Sequence, residues 1–358
     1  MKVKINEITR EYRTVWMEGS VVKLINQPSL PHRFDIYRSM NYGETADAIR
    51  NMIVRGAPAI GATAAFGVAQ GALEFQGNDM EKFKRYIRGV ELTIKESRPT
   101  AYDLFYAVDM VMGELRKAES VGDAKEISVK ASNEYADGSA ELCRRIGLNG
   151  ERLIRDGMNI LTHCNAGALA CVDYGTALSP MRFAKSNGKK FHVFVDETRP
   201  RCQGSRLTAW ELMHEDIDHS IVADNAAGYF MESGEIDMVI VGADRIALNG
   251  DIVNKIGTYE KAVLAKENKI PFYVAAPVST IDINCCNGRE IEIEERSEDE
   301  ILSMWGLSDG DKIQRIRISP HGSRARNPAF DVTSHRYITG IITEQGIYKP
   351  GKLKSIYR

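Results

Sequence analysis

Residues 158–170 have the sequence MNILTHCNAGALA, in which a short apolar segment leads into reactive side chains and then small residues. Ile160 and Leu161 lie in a run whose length and composition are typical of a buried strand. Cys164 and Asn165 follow at the point where that strand should end. This order predicts a strand whose carboxyl end faces a functional site.

The same order recurs later in the chain. Four more short, Val- and Ile-rich segments alternate with helical stretches, and three of them end in acidic residues: FHVFVDE, HSIVAD, DMVIVGAD and FYVAAP. Such strands predict a parallel sheet covered on both faces, with YITGIITEQGIY at its edge. Ligands bind beyond the carboxyl ends of such strands, so the polar endings predict one shared site.

The first part of the chain has a different pattern. TVWMEGSVVKLINQ alternates around Glu18-Gly19, which predicts a β-hairpin. From Thr45 to about Arg155 the period is helical, and APAIGATAAFGVAQGAL predicts a helix of small residues suited to close packing. EERSEDEILSMWGLSDGDK is expected to be a charged surface excursion.

These patterns predict an α/β protein of two domains, since 358 residues exceed the usual size of one core. We expect residues 1–150 to form a smaller N-terminal domain of short antiparallel strands plus helices. Residues 151–358 are expected to form a Rossmann-like catalytic domain with a parallel sheet.

The composition is that of an ordinary globular protein. Hydrophobic residues make up 43% and charged residues 27%, and the formal net charge is −2. We find no basic block large enough for nucleic-acid binding and no apolar run near the ~18 residues of a membrane span. We therefore expect a cytoplasmic enzyme without a nucleic-acid or membrane partner.

Common cofactor and metal motifs are missing from the sequence. The six cysteines lack CxxC spacing and the seven histidines lack HxxxH and HExxH spacing, so we expect reduced thiols and no metal site. No GxGxxG follows a strand and no GxxxxGK[ST] occurs, which gives no support to a dinucleotide or P-loop site.

Two arginines precede prolines at expected helix starts. VRGAPAIG places Arg55 and Gly56 before Pro58, and SRPTAYDL places Arg98 before Pro99. A helix N-terminus has unsatisfied amides, and an adjacent arginine makes it suited to a phosphate. The alternative is that each arginine caps a turn or pairs with a surface acid.

Two later stretches offer further polar contacts. In DETRPRCQGSRLTAWEL, Gln203 can donate to a ligand, and Gly204 at an expected helix start would let that ligand approach the backbone. NGDIVNKIGTY places Asn254 and Lys255 just before another expected helix, where they can hold an anion or a sugar hydroxyl.

Asp244 and Cys164 are the acid–base candidates. Asp244 ends DMVIVGAD, where apolar walls would raise the carboxyl pKa and suit it to general-acid catalysis, although a helix N-cap would explain the same position. Cys164 precedes an expected helix start, which favours a thiolate. Spacing alone leaves a Cys-His hydrolase open, but His163 should point away from its neighbour Cys164, which favours a structural histidine.

Several stretches together carry a family resemblance: VRGAPAIG, SRPTA, THCNAGALA, DETRPRCQGSRLTAWEL, GADRIALNGDIVNKIGTY, IPFYVAAPVSTID and NPAFDVT. The chain resembles the methylthioribose-1-phosphate isomerase family, in the superfamily of the regulatory subunits of the eukaryotic translation-initiation guanine-nucleotide exchange factor. The resemblance implies a cofactor-free aldose–ketose isomerase, usually a homodimer. Its reaction would convert 5-methylthioribose 1-phosphate to 5-methylthioribulose 1-phosphate in methionine salvage, a part of amino-acid biosynthesis.

The resemblance also implies the site residues. The family's catalytic cysteine and aspartate correspond to Cys164 and Asp244, with no metal, and its substrate contacts correspond to Arg55, Gly56, Ala57, Arg98, Gln203, Asn254 and Lys255. In an aldose 1-phosphate the anomeric oxygen carries the phosphate, so an acid is needed to open the ring. Asp244 would protonate the ring oxygen, and Cys164 would shuttle a proton from C2 to C1 or steer a hydride shift.

Three alternatives stay open at this point. Ribose-1,5-bisphosphate isomerase and 5-deoxyribose-1-phosphate isomerase differ in the group at sugar C5. The third is a non-catalytic regulatory subunit that binds a sugar phosphate, which has no need of both Cys164 and Asp244. TVWMEGSVVKLINQPSLP resembles the methylthioribose branch.

Overall fold

The computed structural model describes residues 1–5, 8–99 and 101–357. Its α-helices in this part of the chain are α1 Tyr42–Arg50, α2 Ala57–Glu74, α3 Met80–Glu96, α4 Tyr102–Leu115, α5 Val121–Glu151, α6 Ser179–Ser186, α7 Ala209–His214, α8 Ala227–Glu232, α9 Thr258–Glu267 and α10 Asp299–Leu302. None of the helices in the described residues has the length and apolar character needed to cross a membrane.

The strands in chain order are β1 Lys2–Ile5, β2 Ile8–Glu11, β3 Val15–Glu18, β4 Val21–Ile25, β5 Ile36–Ser39, β6 Asn159–Thr162, β7 His192–Asp196, β8 His219–Val222, β9 Met238–Val241, β10 Arg245–Ala247, β11 Ile252–Lys255, β12 Phe272–Ala275, β13 Ile281–Asp282, β14 Ser303–Leu307, β15 Ile313–Arg317, β16 Phe330–Thr333, β17 Gly340–Thr343 and β18 Gly346–Tyr348.

The chain folds into two compact units, which we describe separately. The first comprises Met1, Glu11–Glu141 and Ala168–Gly175, and the second comprises Lys2–Arg10, Leu142–Gly167 and the chain from Thr176 onward. Each unit therefore includes a short segment from a distant part of the sequence.

The first unit contains the antiparallel sheet β3–β4–β5, helices α1 to α4 and the part of α5 up to Glu141. Strands β3 and β4 pair with Glu18 opposite Val21, which leaves Gly19 and Ser20 as a two-residue loop. Gly19 has a φ of +59°, a left-handed conformation that such loops require. The predicted hairpin is confirmed.

Helix α2 is the buried centre of the first unit. Every residue from Ala59 to Ala72 is buried, as expected for a helix that is apolar on all sides. A Cβ placed at Gly71 would lie 2.5 Å from Val90 Cγ1 of α3. The prediction of a small-residue helix suited to close packing is confirmed.

The second unit is built on a seven-stranded sheet with the order β18–β17–β12–β9–β6–β7–β8. The six strands from β17 to β8 are parallel, and β18 pairs antiparallel with β17 at one edge. The five strands predicted from the sequence are neighbours in this sheet, and the late pair lies at its edge as expected. The predicted α/β, Rossmann-like class is confirmed.

Both faces of this sheet are covered. Leu161, Val239 and Val274 belong to one buried cluster, whereas Ile160, Met238 and Ala275 belong to another. Successive side chains of a strand point to opposite faces, so the continuous apolar strands supply two cores.

Two smaller sheets in the second unit lie outside the sequence predictions. One has the order β13–β10–β11–β16, and the other is the hairpin of β14 and β15. The stretch expected to be only a charged surface excursion contains α10 and β14. Its base is tied to the unit by two backbone hydrogen bonds, Arg296 N to Asn327 O and Ala329 N to Glu294 O, both 2.9 Å.

The close packing of α2 can be tested by adding one methyl group. Gly71→Ala is expected to lower the free energy of unfolding by about 1–3 kcal/mol, because the new Cβ overpacks against Val90. Gly89→Ala in α3 is the matched control, since no described heavy atom lies within 4 Å of its Cβ position. That change should stabilise the protein by about 0.5–1 kcal/mol. Urea unfolding measures both, and equal effects would contradict close packing.

Candidate active site

The site is built where the order of the parallel sheet reverses. From β6 the chain continues outward through β7 and β8, and it then returns to β9 on the other side of β6. Cys164 lies two residues beyond the end of β6, and Asp244 lies three residues beyond the end of β9. A crevice beyond the carboxyl ends of strands at such a reversal is the usual ligand site of this fold.

The backbone of Cys164 is held in an unusual conformation by two threonines. Its φ is +65°, a left-handed value that costs a non-glycine residue about 1–3 kcal/mol. Its amide donates to Thr198 Oγ1 at 2.8 Å, and its carbonyl accepts from Thr208 Oγ1 at 2.7 Å. Both threonines are fully buried, so Cys164 is fixed from both sides.

The helix expected directly after Cys164 is not formed. Between Asn165 and α6 the chain has one short 3-10 turn at Ala168–Ala170. The reason is tertiary hydrogen bonding: the Asn165 amide donates to Glu211 Oε1 at 2.9 Å and to Thr208 Oγ1 at 3.2 Å. The expected helix-dipole support for a Cys164 thiolate is therefore wrong.

Asp244 precedes strand β10, and its amide donates to the Val253 carbonyl at 2.9 Å. The alternative role as a helix N-cap is wrong, because a strand follows the residue. The expectation that apolar walls enclose the carboxyl group is also wrong, because Asp244 is exposed in this structure.

Lys255 links these two residues electrostatically. It ends β11, with its ammonium 2.6 Å from the Ala329 carbonyl and 4.4 Å above the centre of the Phe330 ring. Burial lowers the pKa of Lys255, while the nearby Cys164 and Asp244 oppose this shift. Lys255 thus lies close enough to both Cys164 and Asp244 for these groups to affect its pKa.

The predicted partner of Lys255, Asn254, is also buried in β11. Its amide donates to Thr258 Oγ1 at 3.0 Å, at the first residue of α9. The pair therefore lies just before a helix, as the sequence predicted.

Gln203 lies at the start of a π-helical turn, Gly204–Thr208, that leads into α7. The residue is only 6% exposed, and its Oε1 has no hydrogen-bond partner among the described residues. A Cβ at Gly204 would overlap the Asp196 carbonyl oxygen. Gly204 is thus required by the approach of the chain itself.

Arg55, Gly56 and Ala57 lie in the first unit, where Ala57 begins α2. Gly56 is the N-cap residue with φ +95°, and Pro58 lies in the first turn, as the sequence predicted. A Cβ at Gly56 would overlap the carbonyl oxygen of Ala170, so this glycine also has a packing role.

Arg98, also in the first unit, is not at a proline-led helix start. Helix α3 ends at Glu96, and α4 begins only at Tyr102. The Ala101 amide donates to the Arg98 carbonyl at 3.2 Å, which closes a turn with Pro99 in its second position. Proline favours that position of a turn, which is why the helix start was misplaced in the prediction.

Sequence reasoning placed His163 and Asp196 at strand ends and favoured a structural His163, but it did not predict how these residues are bonded. His163 bonds to Asp196, and Lys261 Nζ lies 3.7 Å from the same Asp196 oxygen. His163, Asp196 and Asp224 also have potential metal-ligand atoms within 4.8 Å of one another, but the Lys261 ammonium already provides a cation beside these acids. The signal for His163, Asp196 and Asp224 was their position at predicted strand ends.

The support of Cys164 can be tested by an isosteric change. Thr208→Val removes the hydroxyl that donates to the Cys164 carbonyl, and we expect a loss of about 1–3 kcal/mol in the free energy of unfolding. Thr333→Val is the matched control, since Thr333 is equally buried and its hydroxyl has no partner among the described residues. That change should be neutral or stabilising. Similar values for both variants in chemical unfolding would remove Thr208 from this role.

Comparisons with known proteins agree with the fold and with the family resemblance. A model of the initiation factor 2 subunit family matches residues 53–350. Methylthioribose-1-phosphate isomerase of Acetivibrio thermocellus is 52% identical over 334 residues, which are 93% of this chain and 95% of the relative. The isomerase of the same name from Geotalea uraniireducens is 48% identical, over 94% of this chain and 96% of its own.

Solved structures give the same result. The 5-methylthioribose 1-phosphate isomerase from Pyrococcus horikoshii OT3 has a TM-score of 0.89 and 41% identity, covering 97% of this chain and 96% of its own. The translation initiation factor eIF-2B, subunit delta, from A. fulgidus has a TM-score of 0.84 and 39% identity, covering 96% and 97%. The chain therefore belongs to the initiation factor 2 subunit family and, within it, to the methylthioribose-1-phosphate isomerases.

Proposed function

We propose that this chain converts 5-methylthioribose 1-phosphate to 5-methylthioribulose 1-phosphate, an aldose–ketose isomerisation in methionine salvage. The observation that supports the proposal is that a thiol residue, Cys164, and a carboxyl residue, Asp244, each follow one of the neighbouring strands β6 and β9. Relatives named for this activity match the chain over nearly its whole length.

Ring opening is the first chemical problem. Because the anomeric oxygen carries the phosphate, the ring cannot open by loss of an anomeric hydroxyl proton. Asp244 donates a proton to the ring oxygen as the bond between that oxygen and C1 breaks, and positive charge develops at C1. Its position after β9 leaves the carboxyl group accessible to a sugar in the crevice.

Hydrogen transfer from C2 to C1 is the second chemical problem, and it can follow either of two routes. In one, the Cys164 thiolate takes the C2 proton and returns it to C1, with an enediol between the two steps. In the other, hydride moves directly from C2 to C1 while the C2 hydroxyl gives up its proton, and Cys164 stabilises the developing charge. In either route the C2 hydroxyl gives its proton to the Asp244 carboxylate, which restores the acid used in ring opening. The product has a C2 carbonyl and the isomerisation has no net change in oxidation, so no redox partner enters the balance.

We assign substrate binding to the remaining predicted residues. The buried ammonium of Lys255 and the side chain of Gln203 lie on the second unit, and we propose that they bind the phosphate and sugar oxygens. We propose the same role for Asn254, for the α2 N-terminus with Arg55, Gly56 and Ala57, and for Arg98. Donors fixed in place before the reaction stabilise charge without reorganisation.

We further propose that the enzyme acts as a cytoplasmic homodimer without cofactor, metal or nucleic-acid partner. The near-neutral net charge of −2 supports the absence of a nucleic-acid partner. The six free cysteines are in keeping with a reducing compartment.

The catalytic roles can be tested by two conservative variants. Cys164→Ser and Asp244→Asn are each expected to lower kcat by about 10²–10⁴-fold, because each removes a proton-transfer group. Substrate affinity in isothermal titration calorimetry should stay within a few-fold of the native value, because the phosphate contacts are intact.

The matched controls are Cys286→Ser and Asp309→Asn, which change an exposed thiol and an exposed carboxyl group elsewhere in the second unit. Both should keep native turnover. A loss of substrate affinity by several hundred-fold in the Cys164 or Asp244 variant, with kcat retained at saturation, would show that these residues bind rather than react.

A further inference from the structure

His163, the residue directly before Cys164, is bonded through both ring nitrogens. Nδ1 lies 2.8 Å from Asp196 Oδ2, and Nε2 lies 2.8 Å from the carbonyl oxygen of Ile256. The imidazole is only 1% exposed. Since a carbonyl oxygen can only accept, Nε2 is the donor in the second bond.

The partners of His163 are themselves fixed. Asp196 and Lys261 are fully buried, and the Lys261 ammonium donates to the Asp224 carbonyl at 2.6 Å. The Asp224 carboxylate in turn accepts from the amides of Thr198 at 2.6 Å and Arg199 at 2.7 Å. This network joins the ends of β6, β7 and β8 to the first turns of α9.

This arrangement argues against two simpler roles for His163. A base for Cys164 needs a free ring nitrogen, and both nitrogens are engaged with other residues. A metal ligand needs a lone pair directed at the ion, whereas Nδ1, the nitrogen on the side of the acids, is already bonded to Asp196, and Lys261 lies beside the same carboxylate. The ring therefore connects two parts of the backbone.

The two connected segments each carry a residue of the candidate site. His163 is followed by Cys164, and Ile256 is preceded by Lys255. Cys164 lies close enough to Lys255 to oppose the lowering of the Lys255 pKa, so the separation of the two groups affects Lys255. The bond between the His163 ring and the Ile256 carbonyl is a short connection between these neighbours.

We propose that His163 is a positioning residue that fixes Cys164 relative to Lys255 through its bond to the Ile256 carbonyl. The proposal deepens the isomerase function and rests on it for the kinetic part of its test. Displacement of a reacting group by about 1 Å can cost 10²-fold in rate. A loss of this bond should therefore lower kcat while leaving KM nearly unchanged.

Two variants distinguish the two hydrogen bonds that the His163 ring makes. The amide of His163→Gln can reach the position of Nε2 and keep a donor to Ile256, whereas the shorter amide of His163→Asn can replace only Nδ1. We expect His163→Asn to lower kcat by about 10–100-fold. His163→Gln should recover about tenfold or more of that loss, with KM within about threefold in both.

The matched control is His192→Asn. His192 is also held through both nitrogens, by Asp218 at 2.9 Å and Ser220 at 3.1 Å, but it lies at the amino end of β7. Its kcat should equal that of the native enzyme. Equal kcat in His163→Asn and His163→Gln, after correction for the folded fraction, would overturn the positioning role. Should His163→Asn fail to fold, a loss above about 100-fold in His163→Gln would do the same.

A second readout does not depend on isomerase activity. The alkylation rate of Cys164 by iodoacetamide, followed by peptide mass spectrometry, should rise about threefold or more in His163→Asn and remain near native in His163→Gln. The exposed Cys286 is the internal standard. Equal Cys164 rates in all three proteins would overturn the positioning role. Absence of sugar-phosphate turnover by the native protein would instead overturn the proposed function alone.

Discussion

Two threonine hydroxyls hold Cys164 in a left-handed conformation, and the geometry of the candidate site depends on this constraint. Thr198 accepts from its amide and Thr208 donates to its carbonyl, and both come from the segment between β7 and α7. A strained residue persists only where its surroundings determine it strongly. The sheet reversal then brings Asp244 from β9 to the same edge, and β11 contributes Lys255.

The fold was largely predictable because its signals are local. The strand-and-helix alternation after residue 158, the hairpin at Gly19 and the small-residue helix α2 each follow from periods of a few residues. The sheet of β10, β11, β13 and β16 was missed, because β10 and β11 pair in it with β13 and β16, which lie far away in sequence.

The residue types of the candidate site were more predictable from the sequence than the contacts that hold them in place. Reactive side chains at strand ends made Cys164 and Asp244 candidates, yet the exposure of Asp244, the turn at Arg98 and the missing helix after Cys164 were not anticipated. Each depends on tertiary contacts that no local pattern records. Solved relatives of this fold carry the names of an isomerase and of a translation initiation factor, so the side chains at the strand ends decide function more than the fold does.

The central claim is that this site isomerises an aldose 1-phosphate with an uncharged group at C5. The most direct test is turnover of the purified protein, side by side, on 5-methylthioribose 1-phosphate, 5-deoxyribose 1-phosphate and ribose 1,5-bisphosphate, followed by NMR without added metal. We expect the highest kcat/KM on the methylthio sugar. A preference for the bisphosphate would contradict the claim, because it would require a second anion site beyond the one that we assign.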